Sequence, residues 1–243
     1  MAAPGAAHPL LKQAALVTGA SRGIGRGVAL ALARAGADVA IAARTMPDLQ
    51  ALAREIEALG RRAIIIPADM RDDRSVEGMV QGALDAFGRL DILVNNAGLG
   101  HFGPVDEMSI EHFDEMLGVN LRGPFLCTRA VVPAMKRQGS GAILNIASVA
   151  GLVANPNLSG YNATKFGLMG FSEACMLELR HFGIKVAAIC PGSTATEFAG
   201  GRSSEGRLTV DDVAHAALAI LTASPNALVS QVHLRPLHPP KRG

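Results

Sequence analysis

Tyr161 and Lys165 stand four positions apart in a segment of helical periodicity, so they share one face and reach the same space. Tyr161 is the only tyrosine in the chain. A phenol titrates near ~10 and is a poor proton donor or acceptor at neutrality, but a neighbouring ammonium favours the phenolate and lowers that value. Ser148 closes an apolar run in Asn145-Ile146-Ala147-Ser148, where its hydroxyl can hold a carbonyl oxygen. Phenol, ammonium and hydroxyl together suit proton transfer at a carbonyl or secondary-alcohol oxygen. The Y-x-x-x-K spacing also arises by chance in amphipathic helices, so it points to chemistry only with the elements around it. Asn120 interrupts an apolar helical stretch for which asparagine is a poor residue. It either joins this site or is a core amide bonded to backbone.

A second group lies near the start of the chain, in Thr18-Gly19-Ala20-Ser21-Arg22-Gly23-Ile24-Gly25. It falls between an apolar run and a helical segment, where glycines permit a tight turn and let backbone N–H groups approach a pyrophosphate at the positive end of a helix. The spacing is G-x-x-x-G-x-G, and strand–turn–helix context makes it a dinucleotide cradle lined by Gly19, Ser21, Arg22, Gly23, Ile24 and Gly25. At the end of the second strand the chain reads Ala42-Ala43-Arg44-Thr45, with no carboxylate to bind a ribose 2′-hydroxyl or repel a 2′-phosphate. Arg22 and Arg44 can bracket that phosphate, which points to NADP(H). Asp69, followed by Met70, ends the third strand, where it either accepts from an adenine amino group or serves as a turn residue that starts the next helix. Asn95, Ala97 and Gly98 of Asn95-Asn96-Ala97-Gly98 end the fourth, where small residues let the chain pass close to a nucleoside.

These groups need a scaffold that brings strand ends together. Short apolar runs at 14–18, 38–43, 62–68, 90–95, 142–147, 185–189 and 228–234 alternate with helical segments at 23–35, 47–59, 75–87, 110–135, 160–181 and 210–223. Gly36, Gly60, Gly88 and Gly183 are placed as helix C-terminal caps, and Ser109 and Thr209 as N-caps. The pattern predicts an α/β fold: a single doubly wound Rossmann-type domain, about seven parallel strands flanked by helices on both faces. Residues 1–13 read as a disordered or extended tail, 14–237 as one dinucleotide-binding and catalytic domain, and 238–243 as a C-terminal tail. The last strand is expected at a sheet edge, followed by an apolar ending at Leu237 that helps bury it. The Gly- and Ser-rich stretch from Gly192 to Leu208 is placed to act as a substrate lid.

Composition removes other classes. The 23 basic and 21 acidic residues are dispersed, which gives no electrostatic support for nucleic-acid or membrane-surface binding. Cys127, Cys175 and Cys190 lack C-x-x-C spacing and read as buried free thiols, and the seven histidines show no metal-ligand spacing, so no metal is expected. The first thirteen residues lack a basic, then apolar, signal pattern, and the longest uncharged stretch is broken by Gly, Asn and Pro. A cytoplasmic protein is expected. His101 and Phe102 follow the fourth strand and are candidates to line a substrate pocket.

Taken in order, T-G-x-x-x-G-x-G, N-N-A-G, Asn120, Ser148, Tyr161/Lys165 and Pro191-Gly192 resemble the short-chain dehydrogenase/reductase family over about residues 14–234. The resemblance implies hydride transfer between NADP(H) and a small-molecule carbonyl or secondary alcohol. Tyr161 would be the general acid, Ser148 would position the carbonyl oxygen, and Lys165 would tune Tyr161 and bind the nicotinamide ribose. Asn120 would hold a water in a proton relay. Pro191, Gly192, Thr194 and Thr196 would hold the carboxamide and pyrophosphate. Family members tend to be homodimers or homotetramers packing two long helices. The chain departs from many 3-oxoacyl-reductase-like members at its ending, Leu228 to Leu237, which is more like NADP-dependent members acting on hydroxy acids and puts the tetramer contact in doubt. A non-catalytic dinucleotide binder is the alternative, but it has no need of Ser148 and Tyr161 together. Sugar-nucleotide epimerases also use a Tyr/Lys pair, but usually with an added substrate domain for which this chain has no room.

Overall fold

A computed structural model describes residues 8–199 and 205–238. Seven strands, β1 (Ala14–Thr18), β2 (Asp38–Ala43), β3 (Ala63–Pro67), β4 (Ile92–Asn95), β5 (Gly141–Ile146), β6 (Ile184–Pro191) and β7 (Gln231–Leu234), form one sheet in the order β3-β2-β1-β4-β5-β6-β7. Every pairing is parallel, with β1 in register to β2 through Ala14 and Asp38 and to β4 through Ala15 and Ile92. Parallel strands need long crossovers, and these are α1 (Gly23–Arg34), α2 (Met46–Ala58), α3 (Asp73–Phe87), α4 (Ile110–Leu117), α5 (Gly123–Gln138), α6 (Ser159–Leu179) and α7 (Val210–Leu221).

Both sheet faces are covered, so the strands are apolar on both sides. Alternate residues divide between two cores: Ala15, Val17, Val39, Ile41, Ile92 and Val94 pack with α1, α2 and α7, while Leu16, Ala40, Leu93 and Ile143 pack with α3, α5 and α6. Small Ala, Val and Ile residues do most of this filling, which lets the helices lie close to the sheet.

The expected caps are present. Gly36, Gly60, Gly88 and Gly183 all have positive φ, and the Ser109 and Thr209 hydroxyls accept from His112 N and Asp212 N. Three expectations need correction. The helix expected at 110–135 is two helices, α4 and α5, joined by a π turn at Gly118–Arg122 that carries Asn120. Residues 8–13 are not a tail: Leu10 is fully buried and its N–H donates to Ala35 O, because an apolar side chain here closes the end of α1; residues 1–7 lie outside the described residues. Strand β7 is at the edge as expected and shorter than expected, but Leu237 is 87% exposed and does not cover it.

Candidate active site

In the strand order, β1 and β4 are neighbours from which the chain runs outward in opposite directions. Their carboxyl ends therefore open a crevice. A cavity of about 650 Å³ occupies it. The glycine turn forms its floor. Gly19 has φ +62°, and a Cβ there would lie 2.8 Å from Ala97 Cα; a Cβ on Gly25 would lie 2.3 Å from both Gly19 O and Asn96 Nδ2. Only glycine fits at either position. The backbone at the start of α1 is left open to the cavity, as a pyrophosphate requires.

The structure brings Gly19, Ser21, Arg22, Gly23, Ile24, Arg44, Asp69, Met70, Ala97, Gly98, Ser148, Tyr161, Lys165, Pro191, Gly192, Thr194 and Thr196 to this one cavity. Gly25 supports the turn from behind. Asn95 does not belong with them. It follows Leu93 onto the other sheet face, where its Nδ2 donates to Asn145 Oδ1 at 2.8 Å, and Asn145 donates in turn to Ser172 Oγ. The neighbouring Asn96 is the cofactor-side residue: it lines the cavity and ties β4 to the turn, its Nδ2 donating to Thr18 O at 3.0 Å and Gly19 O at 3.1 Å.

At the chemical end, Tyr161 lies in the first turn of α6 and Lys165 one turn on, 8% and 4% exposed. Lys165 Nζ donates to Ile146 O at 3.0 Å, which fastens α6 to the end of β5, and stands 5.7 Å from the Tyr161 ring centroid. Burial pushes the phenol up to about 12, opposed by a hydrogen bond with Ser148. Burial also brings Lys165 down to about 8. The expected lowering of Tyr161 by Lys165 is therefore not the arrangement found. The ammonium is turned to a backbone carbonyl, and Ser148 is the group that stabilises phenolate. Ser148 Oγ also accepts from Ala150 N, so the hydroxyl is held in place.

Asn120 is fully buried beside this pair, and its side chain is engaged by protein partners. Its Oδ1 accepts from Leu99 N at 2.9 Å, while its Nδ2 donates to Leu99 O at 2.8 Å and Thr164 Oγ1 at 3.1 Å. The amide braces the loop after β4 against α6, the alternative that the residue type alone left open. Asn162, which the sequence reading passed over, does similar work by donating to Ala150 O and Val153 O across the loop that follows Ser148.

At the other end the charges are exposed. Arg22 pairs with Glu197 at 2.6 Å. Asp69 is gripped by Arg71 through Nε and Nη2, and that hydrogen bonding holds its carboxyl below the usual range. Arg44 lines the cavity, and so does Asp48 from the first turn of α2, a carboxylate that a search confined to the end of β2 did not find.

Of the two candidates after β4, Phe102 lines the cavity but His101 does not; the latter pairs with Glu115 at 2.9 Å and stacks on His112. The segment expected as a lid contributes Ser193, Thr194, Thr196, Glu197 and Phe198, and Thr194 bridges to Leu208. Residues 200–204 of that segment lie outside the described residues. The three cysteines are buried and free. Among the described residues no three His, Cys, Asp or Glu side chains gather as metal ligands, and no helix is long and apolar enough to cross a membrane.

Comparisons with known proteins follow the same outline. Residues 13–206 match the family model described as short chain dehydrogenase. A 3-oxoacyl-[acyl-carrier-protein] reductase of Synechocystis is 41% identical over 197 residues, covering 81% of this chain and 80% of that protein. Among solved structures, a metagenomic short-chain oxidoreductase in complex with NADP is 37% identical with TM-score 0.85, covering 94% of this chain and 98% of that one. A 3-ketoacyl-(acyl-carrier-protein) reductase from Brucella melitensis complexed with NADH is 34% identical with TM-score 0.88, covering 94% and 99%.

Proposed function

The chain belongs to the short-chain dehydrogenase/reductase family, and we propose on that premise that it is an NADP(H)-dependent oxidoreductase interconverting a carbonyl and a secondary alcohol. One observation carries the reading: a buried Tyr161 phenol, with Ser148 and Lys165 beside it, lines the same cavity as the glycine turn. A binding protein without catalysis gains nothing from burying that pair.

The cofactor supplies the hydride when bound. Gly19, Ser21, Gly23 and Ile24 would take its pyrophosphate, with Gly25 shaping the turn from behind, Arg44 would take its 2′-phosphate, and Thr194 and Thr196 its far end. In reduction, Ser148 holds the carbonyl oxygen and Tyr161 gives its proton to that oxygen as the alcohol forms. A phenol raised to about 12 is protonated at working pH and is therefore ready as the acid. Lys165, brought to about 8 and 5.7 Å from the phenol ring, can hold or release a proton near neutrality beside it. Asn120 keeps α6 and the loop after β4 in register for these contacts.

Residues 14–237 act as one dinucleotide-binding and catalytic unit. Phe125 on α5 and Phe166 on α6 are 47% and 44% exposed, and these two helices offer the apolar face on which a homodimer or homotetramer would pack. The cysteines support a reducing, cytoplasmic setting.

The test is NADPH binding by fluorescence, followed by NADPH oxidation against 3-oxoacyl thioesters, ketones, aldehydes and quinones. Binding with carbonyl-dependent oxidation is expected. Binding with no oxidation by any carbonyl would return the protein to the non-catalytic alternative.

A further inference from the structure

The chain has eight phenylalanines, one tyrosine and no tryptophan, yet three of these few rings meet at the reacting phenol. Phe102 lies edge-on to Tyr161 with centroids 5.6 Å apart and an interplanar angle of 87°. Phe198 is 5.9 Å from Tyr161 and 6.2 Å from Phe102. The rings come from three separate segments: the loop after β4, the first turn of α6 and the short 3₁₀ turn Glu197–Ala199.

The backbone makes room for this triangle. A Cβ on Gly100 would lie 2.5 Å from Phe102 Cζ and 3.1 Å from Phe198 Cζ, so any side chain there would push both rings away. The Phe102 loop is fastened to the segment before Tyr161 by Gly103 N donating to Asn157 O at 2.9 Å. Both phenylalanines keep about half their surface open, at 53% and 45% exposure. An unfilled, fixed pair of aromatic edges and faces suits a flat ring, which stacks or meets them edge-on.

Charge completes the description. The cavity is lined by Leu99, Val149 and Leu158 as well as the two phenylalanines, and its arginines, Arg22 and Arg44, come from the glycine turn and the end of β2. Glu197, the carboxylate next to Phe198 in sequence, is paired with Arg22. Among the described residues the cavity's cations are Arg22, Arg44 and Lys165, of which Arg22 is paired with Glu197 and Lys165 donates to Ile146 O.

We propose that Phe102 and Phe198 select the substrate, and that it is an uncharged ketone carrying a flat ring next to its carbonyl. This rests on the carbonyl-reducing reading above and narrows it. It also separates this chain from the acyl-thioester substrates in its relatives' names and from hydroxy acids.

The test compares acetophenone, 2-octanone of equal carbon count, benzoylformate, in which a carboxylate replaces acetophenone's methyl, and acetoacetyl-CoA. With NADPH-loaded protein, kcat/KM for acetophenone should exceed that for each of the others by about tenfold or more, the scale on which an apolar pocket discriminates. Phe102→Leu and Phe198→Leu keep apolar bulk and remove the ring; each should cut the acetophenone to 2-octanone ratio by about fivefold, mainly through KM. Gly100→Ala keeps both rings but displaces them, and should lower the same ratio. Calorimetric titration of acetophenone and 2-octanone into the NADP⁺-loaded protein reads the same selectivity without turnover. Ring-selective binding with no reduction would leave the clamp standing and remove the carbonyl-reducing reading. Reduction with no preference for acetophenone, or a preference that all three variants leave unchanged, would overturn the clamp.

Discussion

In the cavity Tyr161 and Lys165 are withdrawn from water, burial pushing the phenol up to about 12 and the ammonium down to about 8, while the Arg22 and Glu197 side chains are 70% and 69% exposed. Burial and exposure set what each end can do. A buried phenol or ammonium is shifted by desolvation and held by a few fixed hydrogen bonds, so its removal is felt fully. An exposed guanidinium is screened by water and salt, and an exposed pair contributes little. The chemical end should therefore be intolerant of single changes, and the phosphate end graded and salt-sensitive.

The largest expected effect is at Tyr161. Tyr161→Phe keeps the ring but removes the proposed proton donor, so turnover should fall by ~10²–10⁴-fold with NADPH affinity largely kept. Near-normal turnover would remove the proposed chemistry. Lys165→Met should lower both turnover and NADPH affinity, yet stabilise the fold at neutral pH, because a buried ammonium is replaced by an apolar chain of similar length. The pH dependence follows from the shift. Lys165 is brought from 10.5 to about 8, so across pH 8–10.5 the unfolded chain holds more protons here than the folded one. Stability rises with pH through that window, and the cost of the buried charge is full below it. The Met variant should thus gain of the order of 1 kcal/mol, roughly 2–4 °C, at pH 7 and lose the advantage by pH 10.5. Tyr161, raised from 10 to about 12, acts in the opposite sense, its folded form keeping a proton that the unfolded form loses, so wild-type stability falls across pH 10–12. Thermal melts of the wild type and both variants from pH 6 to pH 12 check this.

The glycine turn should come next. Gly25→Ala places a methyl 2.3 Å from Gly19 O and Asn96 Nδ2, and backbone has to shift. We expect NADPH affinity to fall by about tenfold or more and the fold to lose roughly 1–3 kcal/mol. Retained affinity would mean that the turn does not carry the pyrophosphate.

Some of this was legible in the sequence because the cause is local. Gly19 and Gly25 are required by the turn itself, and Tyr161 and Lys165 share a face by helical geometry alone. Other residues depend on long-range packing. In a parallel sheet buried on both faces, apolar alternation carries no sign, so nothing at Asn95 and Asn96 told which amide turns to the cavity and which to Asn145. The π turn at Asn120 joins two stretches of identical helical character and leaves no break in the pattern. Phe198 meets Phe102 only after the segment following β6 folds over the cavity, and Asp48 reaches it only because α2 starts directly beside β2. Leu10 reads as part of a tail because two adjacent leucines after a run of Ala, Pro, Gly and His make no periodicity.

The smallest expected effect tests the exposed end. Arg44 lines the cavity beside the neutral Ala43, but Asp48 lines it too, so a 2′-phosphate meets one cation and one anion at this mouth, with Arg22 already paired to Glu197. A guanidinium matches a phosphate with paired hydrogen bonds, whereas the carboxylate only repels it through solvent. The attraction should win by a modest margin, giving NADPH at least about a tenfold preference over NADH, equivalent to ~1.4 kcal/mol. Arg44→Ala should weaken NADPH about three- to tenfold and leave NADH nearly unchanged, and raising the salt concentration should narrow the difference. Asp48→Asn should act in the other direction, tightening NADPH about two- to threefold at low ionic strength with no change in NADH. Titrating both cofactors against both variants at low and high salt reads each of these. If Arg44→Ala weakened NADH as much as NADPH, the arginine would be serving the adenine or the fold rather than the phosphate. If Asp48→Asn changed nothing at low salt, this carboxylate would lie too far from the bound phosphate to oppose it, and Arg44 would act unopposed.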